Sequence, residues 1–281
     1  MKKKLLIIIA VAMIITCTVV AFAACGGNAS VEAIQEKGVL NIATSANFPP
    51  FENVDESGAI IGWDIDIAHK LAEYMGVKLN ILNMDFDSVL AAVSSGRADI
   101  GMAGISNNAS RDEVVDFSDN VFDSTQVIIV RNSDTSINGP MDLAGKIVGA
   151  QRGTVGQLLA QMSEDWAYDF LENGDPDLNS PILGKPKSEI GYETGANAVE
   201  ALVNGKLDAV ILDRFPAEAI TANYDGQVKI LETPVFEDAY AFAVAEGNTG
   251  LAEWINEAIA KMKADGFWDS NMEKWFGSAE V

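Results

Sequence analysis

"GWDIDIAHKLAEYMGVKLNILNMDFDSVLAAVSSGRADIGMAGIS" (Gly62–Ser106) switches between two kinds of local pattern. Trp63, Ile67, Leu71 and Met75 fall on one face of a helix, with Asp64 and Asp66 in its first turn and Gly76 as a stop. A short strand is expected around Lys78 to Leu82. A second helix follows from about Asp87, apolar at Val89, Leu90 and Val93 and ended by Gly96. "ADIGMAGI" then reads as another strand. Strand and helix in alternation predict an open α/β sheet. Just upstream, "GVLNIATSANFPPFE" supplies a buried strand at Val39, Leu40, Ile42 and Ala43, closed by the pair Pro49-Pro50.

The pattern returns in weaker form. "AAVSSGRADIGMAG" (Ala91–Gly104) is echoed by "EALVNGKLDAVILD" (Glu200–Asp213). Each is a helix end, a glycine stop, a basic residue and a strand opened by Asp. Any helix-to-strand connection shares these features. The echo still points to two lobes built alike, the second opening near "DLAGKIVGAQRGTVG". Asn173 to Glu189 is rich in Pro, Gly, Asp and Ser and reads as a long loop. "NEAIAKMKADGFWDSNMEKWF" is amphipathic; Ile259, Met262, Trp268, Met272, Trp275 and Phe276 are expected core contacts.

A chain of 281 residues can bury cores for two such lobes. Its first thirty residues stand apart. Lys2, Lys3 and Lys4 precede an apolar run from Leu5 to Phe22, then "FAAC" and "GGNAS". A charged start, an apolar middle and small residues describe a secretory signal. An uncleaved membrane helix is the alternative, since eighteen mostly apolar residues just span a bilayer. Ala23 and Ala24 before Cys25 favour cleavage, and "FAAC-GG" resembles the lipobox of bacterial lipoproteins. That resemblance implies a signal peptide 1–24, a lipidated Cys25 carrying fatty chains such as palmitate, and a linker to about residue 37. Removal of the signal takes Cys17 with it, leaving no disulfide framework and no thiolate metal site. It also moves the net charge from −22 to about −25. Such acidity excludes nucleic acid as a partner, which needs a basic footprint.

The chain offers little catalytic apparatus. His69 is the single histidine and sits inside an amphipathic helix, where a structural role is the simpler reading. No nucleophile elbow, P-loop or zinc motif is present, and no cofactor or metal is expected. "RGTVG" lacks the third glycine of a dinucleotide fingerprint.

Binding has more support. Ligands of open α/β sheets sit beyond the carboxyl ends of the strands. There, "SRDE" fits a capping box with Ser110 as N-cap and Glu113 at the third helical position. Arg111 then stands at a helix start, where a basic side chain is unfavourable unless an anion is near. Its fork beside free N–H groups suits a carboxylate. Pairing with Asp112, Asp116 or Asp119 on the surface is the alternative. Asp213 ends the apolar run "KLDAVILD" and suits an ammonium group at a strand mouth; a helix N-cap before "RFPAEAI" is its alternative. Thr154 opens a second anion-binding turn. Arg111 and Asp213 come from different lobes with opposite charges, as a small zwitterion would require. Phe48, Phe51 and Phe86 are candidate walls, although each alone is more simply core.

Taken in order, "IATSANFPPFE", "GWDIDIAHKLAEYMGVKL", "NMDFDSVLAAVSSGRADIGMAGIS", "SRDEVVDFSD", "QRGTVG", "DAVILD" and "KMKADGFWDSNMEKWFG" resemble the polar amino-acid-binding proteins of ABC importers, family 3 of the extracellular solute-binding proteins. The resemblance implies a two-lobed periplasmic-binding-protein type II fold, each lobe an open sheet flanked by helices, joined by two crossover hinge strands. Lobe 1 would comprise 38–120 plus 241–281 and lobe 2 126–235, with hinges at about 121–125 and 236–240. It implies that Arg111 clamps a ligand α-carboxylate, helped by Gly104, Ser106 and Thr154, and that Asp213 anchors the α-ammonium. Phe48 and Phe86 would wall the side chain, with Ser45 and Gln151 near its tip. Many glutamine and basic amino-acid binders carry an acid where Ser45 stands, so a basic ligand loses one expected partner here. The resemblance leaves open whether Asn47, Asp85, Asp87, Asn107 and Asn108 touch ligand. The implied partners are an amino acid, polar or basic, an ABC permease and, through Cys25, the outer face of the cell membrane; the expected state is a monomer. A cyclohexadienyl dehydratase-like enzyme on the same fold is the competing expectation, with Asp213 or Asp85 as the acid. A chemoreceptor sensor domain is less consistent with a chain ending soon after "KWFG".

Overall fold

The computed structural model describes residues 30–161 and 183–277. The expected signal segment, Cys25 and residues 173–182 of the expected long loop lie outside the described residues. The other end of that loop is corrected: Ser188 and Glu189 begin a strand. The expected linker also ends early. Val31–Lys37 forms helix α1, because Ser30 accepts from the Ala33 N–H at its start and left-handed Gly38 closes it.

The first sheet takes β1 (Val39–Thr44), β5 (Lys78–Asn83), β6 (Ile100–Gly101), β7 (Val115–Phe117) and β14 (Ala243–Ala245) in the order β5-β1-β6-β14-β7. β1 runs parallel to β5 and β6, whereas β14 runs antiparallel to β6 and β7. A small sheet of β2 (Asn47–Phe48), β3 (Glu52–Val54) and β4 (Ile60–Ile61) lies beside it. Helix α2 (Trp63–Met75) buries Trp63, Ile67, Leu71 and Met75 as expected and ends at left-handed Gly76. Helix α3 is Phe86–Ser94, burying Val89 and Val93, and helix α4 is the short Ala109–Asp112.

The second sheet takes β8 (Phe122–Arg131), β9 (Ile147–Gln151), β10 (Ser188–Tyr192), β11 (Ala209–Asp213) and β12 (Val228–Ile230) in the order β10-β9-β11-β8-β12. This is the first sheet again. β11, like β6, lies between a parallel neighbour, β9, and an antiparallel one, β8. The Asp that opens each strand also does the same work. Asp99 Oδ2 accepts the Asn41 N–H at 2.7 Å, and Asp208 Oδ2 accepts the Ile147 N–H at 2.8 Å. Each carboxylate thus caps the neighbouring strand, which gives the echo a structural cause.

Strand β8 is apolar on both faces because helices cover both. Ile128 and Val130 join the core with Leu159 from helix α5 (Val155–Gln161). Val127 and Ile129 join the other, with Val199 and Leu202 from helix α6 (Gly195–Val203) and Ala217 from helix α7 (Arg214–Thr221). The chain crosses between sheets twice, along the start of β8 and along β13 (Phe236–Tyr240), which pair antiparallel from Phe122↔Tyr240 to Gln126↔Phe236. Helices α8 (Thr249–Ala264) and α9 (Phe267–Phe276) return to the first lobe. Ile259, Met262 and Trp268 are buried there, and Met272, Trp275 and Phe276 pack partly buried against them. Among the described residues no helix is long and apolar enough to cross a membrane.

Candidate functional site between the lobes

Ser45, Phe48, Phe86, Gly104, Ser106, Arg111, Gln151, Thr154 and Asp213 all line one cavity, together with Gln126 and Val155. The cavity is small, about 10 Å³, and side chains of both lobes line it.

Arg111 is brought inward by its helix cap, but not the expected one. The N-cap is Asn108, whose Oδ1 accepts the Arg111 N–H at 3.0 Å; Ser110 lies within the helix and its hydroxyl donates to the same Asn108 oxygen. Asn108 wins because it alone adopts the extended backbone that an N-cap needs. The Arg111 guanidinium is 7 % exposed and turned away from the surface. Its Nη1 donates to the Ser106 carbonyl at 2.7 Å, and its Nη2 crosses to the Gly153 carbonyl of the other lobe at 3.0 Å. The Phe86 ring lies alongside, 5.6 Å from Cζ. Gly104 is needed as glycine. Its φ is +57°, and an added Cβ would stand 2.6 Å from the Phe48 ring.

Asp213 sits at the mouth of β11 and occupies the N-cap position of α7, yet its side chain makes no cap. Its Oδ1 accepts three donors instead: Tyr240 Oη at 2.5 Å, Gln126 Nε2 at 2.6 Å and Ser124 Oγ at 3.3 Å. The carboxyl is pushed up to about 7, first by burial and then by the nearby Asp238 carboxylate, against the pull of the Tyr240 and Ser124 hydroxyls. Asp238, on the second crossing strand, accepts from Ser106 Oγ at 2.6 Å; burial raises it too, against the pull of Ser106, Ala239 N–H and Arg111. Thr154 Oγ1 donates to the Gln151 carbonyl and receives the Gln157 N–H, so it caps α5.

The other candidates separate. Phe51 is not a wall. It is fully buried in an aromatic cluster with Trp63, Phe122, Phe215, Tyr240 and Phe276. Asn47 does not line the cavity but bonds to two residues that do, Ser45 and Gln151. Asp87 faces Arg152 across the lobes at 3.9 Å, Asp85 makes no side-chain cap, and Asn107 is exposed. His69 is exposed on α2. No cluster of potential metal ligands occurs among the described residues. Gln126 and Asp238 were missed by the sequence reading. Gln126 had a signal, a long amide at the head of the apolar run 127–130 of β8. Its Oε1 is buried without a hydrogen-bond partner.

The family model for "Bacterial extracellular solute-binding proteins, family 3" matches residues 40–278. The arginine-binding extracellular protein ArtP of Bacillus subtilis is 28 % identical over 278 residues, covering 98 % of this chain and 98 % of that protein. A mutant of the T. maritima protein ArgBP has a TM-score of 0.75 and 31 % identity, covering 88 % of this chain and 99 % of that one. An ancestral arginine-binding protein solved with glutamine has a TM-score of 0.72 and 35 % identity, over 86 % and 99 % of the two chains. All three are binding proteins, not enzymes, so the dehydratase expectation is not retained.

Proposed function

We propose, for a chain that belongs to the bacterial extracellular solute-binding proteins, family 3, that it captures one amino acid between its lobes and hands it to an ABC permease. The observation that carries this reading is the meeting of Arg111 and Asp213, from different lobes, in the wall of one cavity. The guanidinium would exchange its carbonyl partners for the ligand α-carboxylate. The α-ammonium would take Asp213, with Gln126 Oε1 as a second acceptor. Gly104, Ser106 and Thr154 would assist at the carboxylate end, while Phe48 and Phe86 flank the side chain.

A ligand gripped by both lobes favours the closed arrangement through its differential affinity. Micromolar binding corresponds to about 8 kcal/mol, to which each charge-assisted anchor would contribute about 1.5–3 kcal/mol. The pairing of β8 with β13 supports hinges at about 121–125 and 236–240, with lobe 1 at 38–120 and 241–281 and lobe 2 at 126–235. The named relatives, arginine binders and one solved with glutamine, support an amino acid as the cargo. Export, a lipid anchor on Cys25 and a monomeric state complete the proposal. Calorimetry across the twenty amino acids tests it: at least one should bind, and Arg111→Ala should weaken that binding by about 2–5 kcal/mol. Unchanged binding in the variant refutes the assignment.

A further inference from the structure

The cavity wall has a third polar group that neither anchor uses. Gln151 Nε2 donates to Asn47 Oδ1 at 3.3 Å, and Asn47 Nδ2 donates to Ser45 Oγ at 3.0 Å. This chain of amides and a hydroxyl spans the two lobes. Ser45 is 1 % exposed and Gln151 2 %. Every member is neutral. Among the residues lining the cavity the charged ones are Arg111 and Asp213 alone, one of each sign.

We propose that this end of the site recognises a neutral amide side chain, glutamine or asparagine, and rejects the cationic side chains of arginine and lysine. The inference rests on the amino-acid reading above and deepens it. Once Arg111 and Asp213 hold the ends of a zwitterion, the lining has no charge left to offset a third one. A buried guanidinium or ammonium without a carboxylate is strongly disfavoured. The nearby acids do not line this cavity. Asp238 accepts from Ser106 beside Arg111, Asp87 is half exposed opposite Arg152, and Asp85 is exposed at the start of α3. A ligand amide, by contrast, offers both two donors and an acceptor. It can enter the Gln151–Asn47–Ser45 chain and match each group it displaces.

Titration calorimetry on the purified wild-type protein with each of the twenty amino acids decides the matter. Glutamine or asparagine should bind at least about tenfold more tightly than arginine, since an unmatched charged group in a buried site weakens binding by at least that factor. Asn47→Asp, or Gln151→Glu should the first variant fold poorly, should shift the ratio toward arginine by at least about tenfold. Wild-type protein that prefers any amino acid other than glutamine or asparagine overturns the inference and leaves the receptor reading standing. Wild-type protein that binds none of the twenty overturns the receptor reading itself.

Discussion

The molecule holds two pairs of acids away from water, three of them buried and Asp238 half-buried, and surrounds the pairs differently. Asp213 and Asp238 sit at the cavity and the crossing strands, and between them they accept from Tyr240, Gln126, Ser124 and Ser106. Glu52 and Asp64 sit in the first lobe, 0 % and 2 % exposed, and neither Glu52 oxygen receives an N–H or a hydroxyl. Glu52 faces the Asp64 carboxyl, and burial with that neighbour raises it well above the usual carboxylate range. Asp64 is pushed up to about 7 by burial, with the Gly104 N–H and Glu52 pulling the other way. With a single donor between them, the Gly104 N–H, these two buried carboxyls favour sharing a proton. The first pair is thus held among hydrogen-bond donors; the second is a proton-sharing strut beneath Gly104.

The sharpest way to break this contrast is Asp213→Asn. Ligand affinity should fall by about 2–5 kcal/mol, because the α-ammonium loses its counter-charge while burial remains. In wild-type protein the same affinity should rise as pH climbs from about 5.5 to 8, since a protonated Asp213 must release its proton to pair with an ammonium. The slope should vanish in the variant. Calorimetry at several pH values checks both; a pH-independent wild type contradicts the role given to Asp213.

Next comes the strut. A raised acid binds more protons in the folded than in the unfolded protein. Asp64 and Asp213 therefore cost stability as pH rises from about 4 to about 7, and Glu52, raised well above its usual range, adds to the trend. In Glu52→Gln the amide can donate to ionised Asp64. Thermal or urea unfolding at pH 8 should show a gain of about 1–3 kcal/mol, shrinking toward pH 5, with ligand affinity nearly unchanged. A loss of stability at pH 8 would mean the two carboxyls do not share a proton. The smallest effect belongs to Tyr240→Phe. It removes one of three donors to Asp213 and should weaken ligand binding by about 0.5–1.5 kcal/mol, more at pH 6 than at pH 8.

These differences explain what could be read from the chain alone. Periodicity carried the helices and strands, because α2 and β8 bury residues at the intervals that define them. The nine candidate site residues stand at strand ends and in loop motifs, and they converge on one cavity. Burial of charge was not legible. "PPFEN" and "FEDAY" look like surface sequence, yet Glu52 is wholly enclosed and Asp238 half-buried; only tertiary neighbours decide that. The cap at Asn108 was misread for a similar reason. Asn108 and Ser110 are both good cap residues, and backbone geometry chose between them.

The placement of β14 has a consequence for how the chain is made. The second lobe draws its whole sheet from one continuous stretch, Phe122 to Tyr240, and can assemble as soon as that stretch emerges. The first lobe begins synthesis earlier yet must wait, because Ala243–Ala245 fills the slot between β6 and β7. A nascent or truncated chain stopping short of it leaves β6 with an open edge and β7 with no partner, a template for aggregation. The older half of the polypeptide is therefore the last to become a finished body.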